Sequence, residues 1–347
     1  MSFTKDKRNK IEKTILNIIN NQKRGTFLVQ KTIAKECGIS TQSVFRIIKK
    51  LENGGRILLQ KDGCNNIYSL PQKKKHLTYD IAGLIEDKVY QNNVAEFIHD
   101  VPQHIKNNFA YAFMEMLNNA IEHSDGTKVE ISLERNECQL SFVIIDDGVG
   151  IFTKIADTLN LDEKRYAILE LSKGKFTSAP DSHSGEGIFF SSKCGHRFIL
   201  ESEGIVFYVS PRAEFLDEPT NMTKTSGTLV SFEIKTDQTQ TLEELFKQYT
   251  DAPERYGFSK TVIPIRLLEY GDKSPVFISR SQARRLLARI ERFEIVMLDF
   301  FGVESIGQGF ADEVFRVFKQ EYPNIKLIPI NYNETIHQMI QHIYEFK

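Results

Sequence analysis

Two short stretches gather side chains able to handle a cation or a phosphate. EMLNNAIEHS, Glu115–Ser124, sets two acids, two amides and a histidine within ten residues. Some twenty residues further on, IIDDGVGI, Ile144–Ile151, makes a glycine-rich turn carrying paired aspartates. Two readings fit this pairing. One is a solvated polar helix followed by an ordinary turn; the other is two segments that face each other across a nucleotide.

The elements around them decide whether they can meet. Ile105, Phe109, Phe113, Leu117 and Ile121 recur every four residues, which makes one stripe of a helix a core face. Glu115 and Asn119, also four apart, share a different face. VEISL and QLSFVII then read as strands separated by ERNE, and the acidic turn closes the second strand. Helix, strand, strand and glycine turn bring the two stretches together.

With those elements in place, E-x-x-x-N followed by D-x-G-x-G and then G-x-G resembles the signature of the GHKL ATPases, the superfamily of gyrase, the heat-shock chaperone and histidine kinases. The parts are Glu115 and Asn119, then Asp146, Gly148 and Gly150, then Gly185 and Gly187, then Gly227 with Thr228 in SGTLVSFEI. The resemblance spans roughly residues 80 to 235. It implies an α/β sandwich (Bergerat fold) with ATP and Mg2+ as cofactors. In that setting the amide oxygen of Asn119 ligates Mg2+, which prefers hard oxygens and keeps waters while bridging phosphates. Glu115, one turn away, polarises the attacking water or hydroxyl. Asp146 accepts a hydrogen bond from the adenine amine, and Gly148 and Gly150 let the backbone come close. Gly185 and Gly187 open a helix toward the phosphates, Lys193 adds charge, and Phe152 to Ser184 form an ATP lid. Asn118, Glu122 and Asp147 carry a structural reading as readily as a functional one. NAIEHS most resembles the corresponding motif of the small serine kinases that act as anti-sigma factors, with His123 four residues after Asn119. No histidine-bearing dimerisation helix of the sensor-kinase type precedes it.

The segment upstream has its own pattern. NKIEKTILNIINN places Ile11, Ile15, Ile18 and Ile19 at helical spacing, and TIAKECGISTQSVFRIIKKLENGGRI reads as two helices joined at Gly38. Ser40 caps the second, whose Val44, Ile47, Ile48 and Leu51 face inward. Gln42, Ser43, Arg46, Lys49 and Lys50 stay outside as candidate DNA contacts. ILLQ and NIYSL around KDGCN form a hairpin wing, so residues 1–75 resemble a winged helix-turn-helix. Those residues hold 17 Lys and Arg against five Asp and Glu, a net +12, which leaves 28 against 41, or −13, for the remainder. A basic end facing an acidic remainder points to duplex DNA as partner, with a protein-docking module as the other reading. PQKKKHLTYD, Pro71–Asp80, reads as a linker into an ATPase domain over 76–240.

Beyond it, residues 255–347 alternate strand and helix, starting with the strand VFIS, as an α/β domain. ISRSQARRLL, DFFGVESIGQGFADEVFRVF and NETIHQMI resemble an uncharacterised STAS-like family often joined to GHKL ATPases. STAS domains include anti-anti-sigma factors with a phosphorylated serine in a strand-to-helix loop. Here Gly307, Gln308 and Gly309 fall near the Asp-Ser-Ser-Gly positions, and Ser305 is the nearest hydroxyl. Ser279 and Ser281 suit a helix cap. Arg280, Arg284, Arg285 and Arg289 either bind an anion or, the favoured reading, solvate a helix face.

The chain thus reads as multi-domain α+β: winged helix, GHKL sandwich and STAS-like domain. The expected function is an ATP-binding regulator of DNA binding that acts with its own STAS-like domain, with ATP hydrolysis or serine/threonine phosphotransfer left open. The alternatives are a serine kinase for a separate protein and a binding module without turnover. Cys37, Cys64, Cys138 and Cys194 are spaced for neither zinc nor a disulfide framework and read as thiols of a reducing cytoplasm. No signal core or membrane-length apolar run stands out, and a homodimer stays open.

Overall fold

The computed structural model describes residues 4–21, 29–62, 65–175, 185–210, 213–217, 226–250, 258–268, 277 and 279–345. The chain divides into two compact units, one of residues 1–76 with 132–141 and 235–237, the other of the remainder.

The first unit orders three helices, α1 (Lys5–Asn20), α2 (Val29–Cys37) and α3 (Thr41–Asn53), before the antiparallel pair β1 (Leu58–Asp62) and β2 (Asn65–Ser69). Gly38 turns the chain between α2 and α3 at a φ of +61°, a left-handed value that glycine adopts without steric cost. Ser40 then caps α3, its Oγ accepting from Ser43 N at 3.2 Å. Val44, Ile47, Ile48 and Leu51 are buried against Ile11, Ile15 and Ile19 of α1, as their periodicity requires. Leu16 rather than Ile18 completes the inner face of α1. The same apolar cluster includes Cys138. Polar bonds join its surroundings: Asn20 Nδ2 donates to Gln139 Oε1 at 2.6 Å, and Asn136 Nδ2 donates to Asn20 Oδ1 at 2.8 Å.

A seven-stranded sheet carries the middle of the chain, in the order β3 (Lys73–Asp80), β4 (Lys128–Arg135), β5 (Gln139–Asp146), β9 (Leu229–Lys235), β6 (Arg197–Ser202), β7 (Ile205–Ser210) and β8 (Ala213–Asp217). The linker expected over Pro71–Asp80 is therefore an edge strand for most of its length. Exposed and half-buried residues alternate along β3, and lysine on an edge strand blocks further pairing, so its charge hid its period. The helices are α4 (Glu86–Val89), α5 (Gln103–His123), α6 (Ile151–Leu159), α7 (Tyr166–Lys173), α8 (Gly187–Lys193) and α9 (Leu242–Gln248). Helix α5 packs on the sheet through Phe109, whose ring meets Phe142 edge-on at 5.4 Å; Phe142 stacks on Phe232 at 5.1 Å. Within the expected lid, Ile151–Leu159 and Tyr166–Lys173 are helices with buried faces, and 176–184 lie outside the described residues.

The last part of the chain forms a parallel sheet, β10 (Lys260–Pro264), β11 (Ile295–Asp299) and β12 (Lys326–Ile330), with β11 central. Its helices are α10 (Arg280–Leu287), α11 (Gln308–Asp312), α12 (Phe318–Glu321) and α13 (Glu334–Glu345). Of the strand expected at VFIS, 276 and 278 lie outside the described residues; Phe277 forms a parallel bridge with Ile306, and KTVIP adds a strand that the sequence reading did not include. Ser279 caps α10 through a reciprocal bond with Gln282.

Candidate functional site

A cavity of about 310 Å3 opens between α5, the ends of β5 and β9, and the start of α8. Glu115, Asn119, His123, Asp146, Gly150, Gly185, Gly187 and Thr228 all line it, joined by Asn118. Gly148 and Lys193 stand outside the lining. Lys193 closes the far end of α8, with its Nζ 4.8 Å from the centre of the Phe189 ring. Glu122 is exposed and also outside.

Asp146 is the most constrained of these groups. It is buried at the end of β5, and its Oδ1 accepts from Gly148 N at 3.0 Å and from Thr228 N at 3.2 Å. Oδ2 takes neither bond. Burial pushes its pKa up from the ordinary carboxylate value, while the two backbone donors oppose the shift. The glycines around it make this packing feasible. At Gly227, φ is +93° and an added Cβ would lie 2.0 Å from Asp146 O; at Gly148 it would lie 2.1 Å from Ser124 O. Their close approach is thus to neighbouring backbone. Gly187 leaves room for the Glu115 carboxylate, since a Cβ there would lie 2.1 Å from Oε2.

Asp147 turns out to be structural. Its Oδ1 accepts from Thr127 N at 2.6 Å and Lys128 N at 2.9 Å, and its Oδ2 from Thr127 Oγ1 at 2.7 Å, which fastens the start of β4 to the end of β5. These bonds hold its pKa at about 2, below the ordinary value of 3.8. A depressed folded pKa adds stability that is complete above the unfolded value and lost as pH falls through about 2. Asp147→Asn should therefore be less stable than the wild type at neutral pH, with the gap closing as acid unfolding is followed down toward pH 2. A gap independent of pH would remove the carboxylate from this role.

Sequence order could not supply the rest of the wall. Ile144, Ile151, Ile155, Leu200 and Val230 give it an apolar side suited to a planar ring. Lys154 also lines it, donating through Nζ to His123 O at 2.7 Å and Asp125 Oδ2 at 2.8 Å. A cation on the final carbonyls of α5 is favoured by the helix dipole. Ile144 could have been found from the alternation of β5, which puts it on the face of Asp146. Among the described residues, no group of three or more His, Cys, Asp or Glu could hold a metal.

Helix α7 ends in a buried charge cluster. Glu170 Oε1 accepts from Lys173 Nζ at 2.7 Å and Glu170 Oε2 from Arg289 Nε at 2.9 Å. Lys173 Nζ also donates to Arg285 O at 3.1 Å and Ala288 O at 2.8 Å, and Thr261 Oγ1 donates to Lys173 O at 2.8 Å. Burial pushes the Lys173 pKa down and the Glu170 charge opposes that. Arg285 lies 4.6 Å from the centre of the Tyr166 ring, Arg280 bonds Asp312 at 3.0 Å and Arg284 bonds Glu313 at 2.7 Å. Of the four arginines expected to solvate a helix face or bind an anion, Arg280 and Arg284 are exposed and carry surface ion pairs, whereas Arg285 and Arg289 are half-buried against protein partners.

Residues 106–238 match the family model described as "Histidine kinase-, DNA gyrase B-, and HSP90-like ATPase". Residues 282–337 match the "STAS-like domain of unknown function (DUF4325)". Comparison with curated proteins finds none that matches. The chain therefore carries a GHKL-type ATPase domain followed by a STAS-like domain, and the buried Glu170 cluster ties the first to the second.

Proposed function

We propose that this chain is a DNA-binding regulator whose ATPase domain acts on its own STAS-like domain. The observation that carries this reading is the Glu170 cluster: a carboxylate of α7 is shared between Lys173 of the same helix and Arg289 of the STAS-like domain. An ATPase that exchanges a separate protein partner would leave such a surface solvated. Buried as it is, the contact favours communication within one chain over phosphorylation of a distant target.

The residues present fit a magnesium nucleotide. Asp146 Oδ2 is an acceptor of the type the adenine amine needs, and the isoleucines beside it suit the ring. Mg2+ uses one or two protein oxygens and completes its shell with phosphates and water, so Asn119 without an acidic cluster is an adequate donor set. When bound, the ion would neutralise phosphate charge. Glu115, on the same wall and against Gly187, would orient a water toward the terminal phosphate. Among the described residues no helix is long and apolar enough to cross a membrane, and Cys37, Cys138 and Cys194 are free thiols, which suits a cytoplasmic setting.

The first unit supports a winged helix-turn-helix bound to duplex DNA. Arg8 and Arg56 pair with Glu12, Lys13 with Asp237 and Lys74 with Glu134. Arg46, Lys49 and Lys50 on α3 enter no ion pair among the described residues. Three uncommitted cations therefore stand on the helix that would meet a groove, with further uncommitted lysines, Lys5, Lys10, Lys31 and Lys35, on α1 and α2.

Titration of ATP with and without Mg2+, followed by assays for released phosphate and for label on protein, tests the proposal. Glu115→Ala should hold ATP and lose turnover, and Asn119→Ala should lose the magnesium dependence of binding. Turnover by Glu115→Ala at the wild-type rate would remove it as the base. Label appearing on an added protein and not on the chain would favour the separate-target kinase.

A further inference from the structure

Helix α3 contains five apolar residues, of which Val44, Ile47, Ile48 and Leu51 are buried and Phe45 is 48% exposed. Phe45 is not stranded at an end of the helix. Gln42, Phe45, Arg46 and Lys49 fall at i, i+3, i+4 and i+7, so they form one outward stripe with the ring in its middle. Lys49 Nζ stands 5.9 Å from the centre of that ring. An aromatic surface set among unpaired cations needs a ligand that is both anionic and able to offer an apolar contact. The major groove of duplex DNA offers both: phosphates along its walls and, among the base edges, the 5-methyl group of thymine.

We infer that Phe45 reads thymine, its ring packing on the 5-methyl group while Arg46, Lys49 and Lys50 take phosphates or base edges. This rests on the reading of the first unit as DNA-binding. Charge complementarity selects nucleic acid over an apolar protein surface as the occupant, because such a surface would strand three cations. The residue type then selects the contact, since a phenyl ring makes no hydrogen bond that could distinguish guanine from adenine. Gln42, one turn earlier on the same stripe, has an amide of the kind that pairs with the N6 and N7 edge of adenine. A side chain for adenine beside a ring for thymine biases the helix toward A·T steps.

The test uses the full chain at low salt and three duplexes: poly(dA-dT), poly(dA-dU), which differs from it in the groove by the methyl group alone, and poly(dG-dC). The wild type should bind poly(dA-dT) about four-fold more tightly than poly(dA-dU), the worth of one buried methyl group. Phe45→Ala should bind both equally, at the poly(dA-dU) affinity, with an unchanged melting curve because the ring contributes to no core. Wild-type binding that ignores the methyl group, or a methyl preference that survives Phe45→Ala, overturns the thymine assignment and leaves DNA binding standing. Failure to bind any of the three duplexes overturns both.

Discussion

Replacing Glu170 by alanine should destabilise the ATPase and STAS-like part of the chain by about 3–5 kcal/mol, the cost of leaving a buried charge without its partner. Lys173 has a side chain only 2% exposed, and its ammonium faces two carbonyls and one carboxylate. Removing the carboxylate leaves dipoles to hold a full charge in a place water does not reach. Arg289 is 30% exposed and can turn outward, so the loss falls mainly on Lys173. Urea unfolding of the wild type and of Glu170→Ala measures this as a shift in midpoint at constant slope. Glu170→Leu combined with Lys173→Met should recover much of the loss, since it removes both charges together. A midpoint within the error of the wild type for Glu170→Ala would show that the cluster is wet and contributes little.

Asp146→Asn is expected to bind ATP roughly 10- to 150-fold more weakly, corresponding to about 1.5–3 kcal/mol for one charge-assisted hydrogen bond. The substitution is chosen because it spares the fold. An asparagine oxygen can still accept from Gly148 N and Thr228 N, and the burial that raises the wild-type pKa favours a neutral group. What changes is the other atom, an acceptor that becomes a donor facing the donor of adenine. Calorimetry with adenosine, which has no titrating phosphate, extends the test. Wild-type affinity should fall as acid protonates Asp146, beginning above the range of an ordinary aspartate, and the variant should show no such step. Equal affinity in a folded variant would sink the adenine assignment.

The parts of the molecule that could be read from sequence are those whose physics is local. The buried stripe of α3 and the core face of α5 follow from period alone, and the glycines flanking Asp146 announce a tight turn wherever they occur. Glu115, Asn119, Asp146, Gly187 and Thr228 could be grouped from their order along the chain, and they do line one cavity. What was illegible depends on pairing over long separations. Leu200 and Val230 reach the cavity because β6 and β9 are neighbours in the sheet, which no window of sequence reveals. Lys73 and Lys74 disguised a strand as a linker, and the buried Lys173 went unnoticed because lysine is rarely found in a core without a partner. Composition reads Arg280 and Arg284 correctly as solvated, whereas Arg289, just beyond α10, reaches Glu170 across 119 positions, a partner that composition cannot show.

Cys138 belongs to the apolar core of the first unit, although more than sixty positions of chain separate it from the last residue of β2. Arg56 likewise holds Glu137, and Asn20 holds both Asn136 and Gln139. A gene truncated after codon 76 would encode α1 to α3 with β1 and β2 and still omit a piece of that unit's interior. The N-terminal region is consequently a poor cassette for recombination. Grafted onto another effector, it would arrive without Cys138 in its apolar cluster and with an arginine lacking one of its carboxylates, whereas a graft that also carries 132–141 and 235–237 would keep the unit whole.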